Sequence, residues 1–283
     1  MIKSLFSFSF KDWPPTSEFS KEFPDLYQDF ARAVPIPNYT RRDGILNIAA
    51  HFPINDEAII PDIGPKMYNT FESQEGPGGK GSTRLHMDMA DAINVMLYAA
   101  PRQDGTPGCA VWDIYRAEDS AKIRKFLFRK YGKSSTDPIH SQHYYLDSDI
   151  RKELFETEGV KSWRIYQKPG DAVFIPAGCA HQVGPSYQYL IYIVTDSSFK
   201  VCNLADCIKV AVDFVSPENV DRCGALTREF REQNQASAWK EDVLQLRHMM
   251  YHAWNSMRRL RQQTPVDILD QYYGAPAPDI PPP

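Results

Sequence analysis

A chain of 283 residues, 42% hydrophobic, 24% charged and 12% aromatic, can bury a full core as one large β-rich domain or two small ones. Its net charge of −4 supplies no global basic field for nucleic acid or an anionic membrane, and no apolar run approaches the ~18–20 residues of a membrane helix. Five cysteines, odd in number and without C-x-x-C spacing, argue against a disulfide framework or a zinc finger and suit a reducing compartment.

The opening Met1–Phe10 faintly imitates a signal peptide, but its apolar stretch is short and diluted by serine, and no small-residue cleavage site follows. Trp13-Pro14-Pro15-Thr16 is a rigid entry, and residues 20–34 read as a helix ending before Pro35. Short apolar pieces cross 45–61 and 66–71. The run Gly76-Pro77-Gly78-Gly79-Lys80-Gly81 lacks the phosphate-loop spacing and reads as a loop. Strands are expected over 83–89, 93–99 and 110–115, then helices over 117–131 and 150–158. Two more strands, 163–167 and 172–175, flank the turn Lys168-Pro169-Gly170-Asp171, and the turn Pro176-Ala177-Gly178 leads to His181.

Residues 185–195 form an isolated β-prone block, and 207–214 is a further strand. The end is helical, 217–233 and 239–262, the latter with Trp239, Val243, Leu246, Met250, Trp254 and Met257 at three- and four-residue intervals. Residues 263–283 are proline-rich and expected to be disordered. No internal repeat is evident. Short strands between turns, with helices at the ends, predict a mainly β fold with flanking helices, a barrel or jelly roll.

Leu85-His86-Met87-Asp88 carries the sharpest chemical signal. Residues two apart on a strand point the same way, so His86 and Asp88 present an imidazole and a carboxylate to one point. His181, after a β-run and a tight turn, is the natural third ligand. Two histidines and one carboxylate on one side of a metal leave room opposite for co-substrate and O2, the pattern of Fe(II) oxygenases. The pair alone is weak, because a surface-strand pair or a core histidine reads the same.

Longer motifs decide. Lys11-Asp12-Trp13-Pro14-Pro15, Tyr39-Thr40-Arg41-Arg42-Asp43-Gly44, Pro61 to Tyr68, Leu85 to Tyr98, Asp137-Pro138-Ile139-His140, Gly170 to Val183 and Cys207 to Glu218 resemble the JmjC-domain oxygenases. Within that family they are most similar to histone lysine demethylases acting on mono- and dimethylated lysine-9 of histone H3. The resemblance runs from about Lys11 to Asn234 and implies a JmjC domain over 11–262 with a double-stranded β-helix core. It also implies Fe(II) held by His86, Asp88 and His181, with 2-oxoglutarate and O2 as co-substrates. Thr83 and Asn94 match family positions that contact 2-oxoglutarate. Lys209 is the cation candidate for its distal carboxylate, since a buried carboxylate needs a cation and hydrogen-bond donors. The implied reaction is oxidative N-demethylation of a methylated histone H3 tail in the nucleus, yielding succinate, CO2 and formaldehyde. Asp91 and Asp113 are candidates for holding a basic peptide, a homodimer is left open, and no nucleic-acid motif is present.

Two departures from the family stand out. Gly184 to Val201 intervene where related sequences pass almost directly from Gln182-Val183 to a stretch like Cys202–Cys207. This segment is either a tolerated loop, since doubling a loop costs only ~0.6 kcal/mol, or a translated intron. If native, it lies beside His181 and could displace Lys209. The zinc-finger region that usually precedes the domain is not in this sequence, which implies a fragment or a reduced version. Rival readings are a JmjC protein hydroxylase, a disabled chromatin-binding scaffold and, distantly, a cupin-type isomerase. His248 and His252 are expected on a helix surface or in packing, and His140 and His143 in loops.

Overall fold

The computed structural model describes residues 9–11, 19–52, 61, 63–70, 81–101, 105, 107–185, 206–233 and 244–263. Among the described residues, nine strands form two antiparallel sheets. The larger takes β1 (Ser9–Lys11), β2 (Lys66–Thr70), β9 (Cys207–Phe214), β4 (Asp91–Ala99) and β7 (Ala172–Ile175), in that spatial order. The smaller takes β3 (Thr83–His86), β8 (His181–Pro185), β5 (Ala110–Ile114) and β6 (Trp163–Gln167). From β2 onward the chain alternates between the sheets, apart from the β5–β6 pair. The result is the mainly β, double-stranded β-helix with flanking helices that the sequence leads one to expect.

Strand alternation sorts the side chains. In β9, Val210, Val212 and Phe214 join Ile93 of β4 in an outer layer closed by Phe30 and Val34. Their alternates Cys207, Lys209, Ala211 and Asp213 turn to the inside. Between the sheets Ala92, Met96, Trp112, Ile114, Val173, Ile175 and Val183 pack together. A third cluster, under the helices, contains Leu85, Met87, Ile123, Phe126, Leu127 and Leu154.

The N-terminal helix expected over 20–34 is two helices, α1 (Phe19–Glu22) and α2 (Pro24–Ala33). Proline lacks an N–H and crowds the residue before it, so Phe23 leaves the helical region at φ −133°, ψ 65° and Pro24 starts a new helix. A four-residue helix, α3 (Pro37–Thr40), follows. Helices α4 (Ser120–Tyr131) and α5 (Ser148–Glu158) stand where expected, α5 capped by Asp147, whose carboxylate accepts from the N–H groups of Asp149 and Ile150.

The C-terminal pair needs two corrections. α6 (Val220–Gln233) begins after a 3-10 turn at Pro217–Asn219, and α7 runs Leu246–Gln263 because Gln245, at φ 51°, interrupts any earlier helix. Of the apolar residues spaced along this segment, Leu246 is covered and the other described members are not. Met250, Trp254 and Met257 are exposed, whereas Leu246 and Met249 are buried and the His252 ring lies tilted against Phe52 at 5.9 Å. Trp239, Val243, the β-prone block after Pro185, the glycine-rich run through Lys80 and the proline-rich tail lie outside the described residues. No helix among the described residues is long and apolar enough to cross a membrane.

Candidate metal centre

β3 ends at His86, so Asp88 sits just beyond the strand rather than within it. Alternation nevertheless persists: Leu85 and Met87 are buried in the helix-side core while His86 and Asp88 turn to the sheet interior. Asp88 is tethered through its carbonyl, which accepts from Gly178 N–H at 3.1 Å. Gly178 has φ +75° in the turn before β8, a conformation that strains residues bearing a Cβ, and here a Cβ would also press on Arg222. The turn thus positions Asp88 and delivers His181 to the start of β8, directly opposite His86 in the β3–β8 register.

The three side chains converge. His181 Nε2 is 3.6 Å from one Asp88 carboxylate oxygen, His86 Nε2 is 3.9 Å from the other, and the two rings are 4.1 Å apart. All the candidate ligand atoms lie within 4.8 Å of one another. Each imidazole donates its Nδ1–H to a backbone carbonyl two residues back: His86 to Arg84 at 2.8 Å, His181 to Cys179 at 3.0 Å. This leaves both Nε2 lone pairs directed at the gap, the tautomer a metal requires. Burial, and then the neighbouring His86, push the His181 pKa down to about 4, which keeps its imidazole neutral. Two imidazole nitrogens and one carboxylate with no lysine or arginine among them suit a divalent ion, with Fe(II) among those this ligand set favours.

A cavity of about 110 Å³ opens beside these ligands between the sheets. Its walls include Thr83 from β3, Asn94 from β4 and Lys209 from β9, together with Tyr68, Trp112 and the ion pair Lys66–Asp213 at 2.7 Å. Thr83 reaches it by an irregularity in pairing. Thr83 opposes Val183 and His86 opposes His181, so three steps on β3 match two on β8, and the extra residue brings both side chains to one face. Lys209 is buried, with its Nζ 5.4 Å from the centre of the Trp112 ring, and among the described residues no carboxylate pairs with it. Burial lowers its pKa, which an incoming carboxylate would offset. Lys209 therefore lines the cavity even though Gly184 to Val201 precede it in the chain. Of that segment, Gly184 and Pro185 continue β8 opposite Val111 and Ala110, and residues 186–201 lie outside the described residues.

Asp91 and Asp113 do not face a peptide surface. The Asp91 carboxylate accepts from Ala177 N–H, Ser216 N–H and Oγ, and Asn219 Nδ2 at 2.6–3.0 Å, tying the pre-His181 turn to the segment after β9. Asp113 receives a two-pronged Arg164 guanidinium at 2.9–3.0 Å, with Gln182 at 3.2 Å and Arg151 also at 3.2 Å. Both are buried braces, because a buried carboxylate is stable only when its acceptors are filled. His143 is an exposed loop residue, and His140 is a half-buried turn residue whose ring meets Glu229 at 2.6 Å; His248 is exposed on α7.

A double-stranded β-helix bringing two imidazoles and a carboxylate to one point, beside a cavity lined by a buried lysine, defines the architecture of the non-haem metal-dependent oxygenases. Comparison with known proteins agrees. Residues 80–185 match the family described as JmjC domain, hydroxylase. Lysine-specific demethylase 3A of Rattus norvegicus is 40% identical over 279 residues, an alignment covering 86% of this chain and 21% of that protein. Lysine-specific demethylase 3 of Drosophila melanogaster is 39% identical over 279 residues, covering 30% of its length. Lysine-specific demethylase JMJ26 of Arabidopsis thaliana is 34% identical over 298 residues, covering 32%. This chain belongs to the JmjC-domain family, and it spans between about a fifth and a third of the length of these relatives.

Proposed function

We propose that this protein is an Fe(II)- and 2-oxoglutarate-dependent histone lysine N-demethylase of the histone H3 lysine-9 type, acting on chromatin in the nucleus. The observation that carries the reading is the meeting of His86, Asp88 and His181 Nε2 and carboxylate atoms at one point, on the wall of a cavity that also contains Lys209. The similarity to lysine-specific demethylases over 86% of the chain supplies the substrate class.

In this reading His86, Asp88 and His181 hold the iron, Lys209 neutralises the distal carboxylate of 2-oxoglutarate, and Thr83 and Asn94 offer further hydrogen bonds to it. An iron held there would supply the activation of O2 that is coupled to oxidative loss of CO2 from 2-oxoglutarate. In the net reaction one oxygen atom would end in succinate and the other in formaldehyde made from the N-methyl group, with the lysine nitrogen keeping a proton. The protein's own work is geometric and electrostatic. The Arg84 and Cys179 carbonyls hold the imidazole tautomers.

The test is incubation with Fe(II), 2-oxoglutarate, O2 and a dimethyl-lysine-9 histone H3 peptide, read by mass spectrometry and formaldehyde release. Peptide mass falling by one CH2 per methyl, with equimolar formaldehyde and succinate, supports demethylation. Mass rising by one oxygen, with no formaldehyde, supports instead a protein hydroxylase. A folded chain that binds neither iron nor 2-oxoglutarate is the disabled scaffold.

A further inference from the structure

Gln167, at the end of edge strand β6, is completely buried, and its amide is hydrogen-bonded at both ends. Its Oε1 accepts from Trp112 Nε1–H at 2.8 Å. Its Nε2 donates to the Asn94 carbonyl at 2.8 Å, to Asn94 Oδ1 at 3.3 Å and to the Asp171 carbonyl at 3.2 Å. One side chain therefore crosses from the four-stranded sheet to β4 of the five-stranded sheet. An amide could brace two sheets at any point along them. This one grips two residues that line the metal-side cavity.

The consequences at each end differ. With Oδ1 occupied by Gln167, the Asn94 side chain has its Nδ2–H2 donors left for the cavity. At the other end, the bond to Nε1 sets the rotation of the Trp112 indole about its own axis. That indole is a wall shared by two functional groups: its ring lies 6.0 Å from His181 at an interplanar angle of 27°, and Lys209 Nζ stands 5.4 Å from its centre. Interaction with the ring face is one of the few comforts available to a buried ammonium awaiting a carboxylate.

We infer that Gln167 is a positioning residue for the co-substrate: it sets the Asn94 amide and the Trp112 indole so that donor and ammonium meet a dicarboxylate bound on the metal side. It is not among the residues that line the cavity, and acts only through these two residues. The inference rests on the function proposed above and deepens it.

The test uses the whole chain loaded with Mn(II), and measures Mn(II) affinity and 2-oxoglutarate affinity separately by calorimetry. In Gln167→Met, which keeps length and loses every hydrogen bond, 2-oxoglutarate binds about tenfold more weakly while Mn(II) affinity is unchanged. In turnover the same variant raises KM for 2-oxoglutarate and leaves kcat at saturation unchanged. Trp112→Phe, which keeps an aromatic wall and releases only one of the bonds, weakens 2-oxoglutarate less. Should Gln167→Met fail to fold, Trp112→Phe decides: weakened 2-oxoglutarate with intact Mn(II) binding supports the role, and unaltered 2-oxoglutarate affinity overturns it. A folded Gln167→Met that binds 2-oxoglutarate as the parent does, or that loses Mn(II) in step with 2-oxoglutarate, overturns it as well, since the residue is then a plain brace. A parent chain that binds Mn(II) but no 2-oxoglutarate defeats the functional reading itself, a result visible before any variant is made.

Discussion

Two clusters among the described residues gather two kinds of potential ligand within bonding range of one point: His86, Asp88 and His181 between the sheets, and Asp137, His140 and Glu229 between the loop after α4 and α6. They draw on the same two ligand types, two imidazoles with one carboxylate in the first and one imidazole with two carboxylates in the second, and they differ in how their charge is balanced. In the second, the Arg124 guanidinium is hydrogen-bonded to both Asp137 and Glu229 and touches His140 at 3.3 Å. The charge a metal would supply is already present. In the first, no protein cation enters, and each imidazole has its far nitrogen anchored on a carbonyl. His140, by contrast, has an Nδ1 that is buried without a partner. Ligand types close together do not make a metal site; an anchored tautomer and an unneutralised centre do.

The comparison can be broken in four ways. The largest effect is expected for Asp88→Ala or His181→Ala, which remove a ligand from the first cluster. Outer partners of metal sites typically matter by about 10–100-fold, so losing a ligand should lower Mn(II) affinity beyond that range and abolish turnover. Calorimetry on the folded variant checks it. Next, Arg124→Met strips the cation from the second cluster and leaves two carboxylates facing each other. Urea denaturation should show a loss of about 3 kcal/mol, with Mn(II) affinity at the first cluster unchanged.

Third, divalent metal should stabilise the parent chain by about 2.7 kcal/mol at a hundredfold excess over its dissociation constant, and the Asp88→Ala variant not at all. Equal stabilisation of both would move the metal to the wrong cluster. The smallest effect is on pH. Folded His181 takes its proton at about pH 4, whereas an unfolded histidine does so near 6.5. The unfolded chain therefore binds the proton first as pH falls. Stability of the metal-free chain is full above pH 6.5 and lost toward pH 4, and His181→Gln should flatten that slope in denaturation curves.

Much of the architecture was legible because strand periodicity and turn chemistry are local: β6, β7 and β9 stand where alternation and glycine-proline turns put them. His86 and Asp88 could be paired from spacing alone, though Asp88 owes its place to Gly178 rather than to a strand. What sequence hid was long-range. Simple alternation would send Thr83 and His86 to opposite faces, and only the irregular β3–β8 register reunites them. Asp91 and Asp113 look like surface acids until their buried partners, arginine, serine, asparagine and backbone amides, are seen around them. The α7 stripe misled because amphipathic spacing says which residues share a face, not which face is covered. Gln167 carried no signal at all, since a glutamine closing a strand acquires meaning only from Trp112 and Asn94 opposite it.

The most direct test is an anaerobic titration of the purified chain with Fe(II) and then 2-oxoglutarate, followed by the visible absorption that a 2-oxoacid chelated to ferrous iron develops. The parent chain should develop the band, Asp88→Ala and His181→Ala should not, and Arg124→Met should retain it when folded. A folded parent chain that stays colourless, or a band that survives loss of Asp88, would contradict the assignment of these three side chains as the iron site.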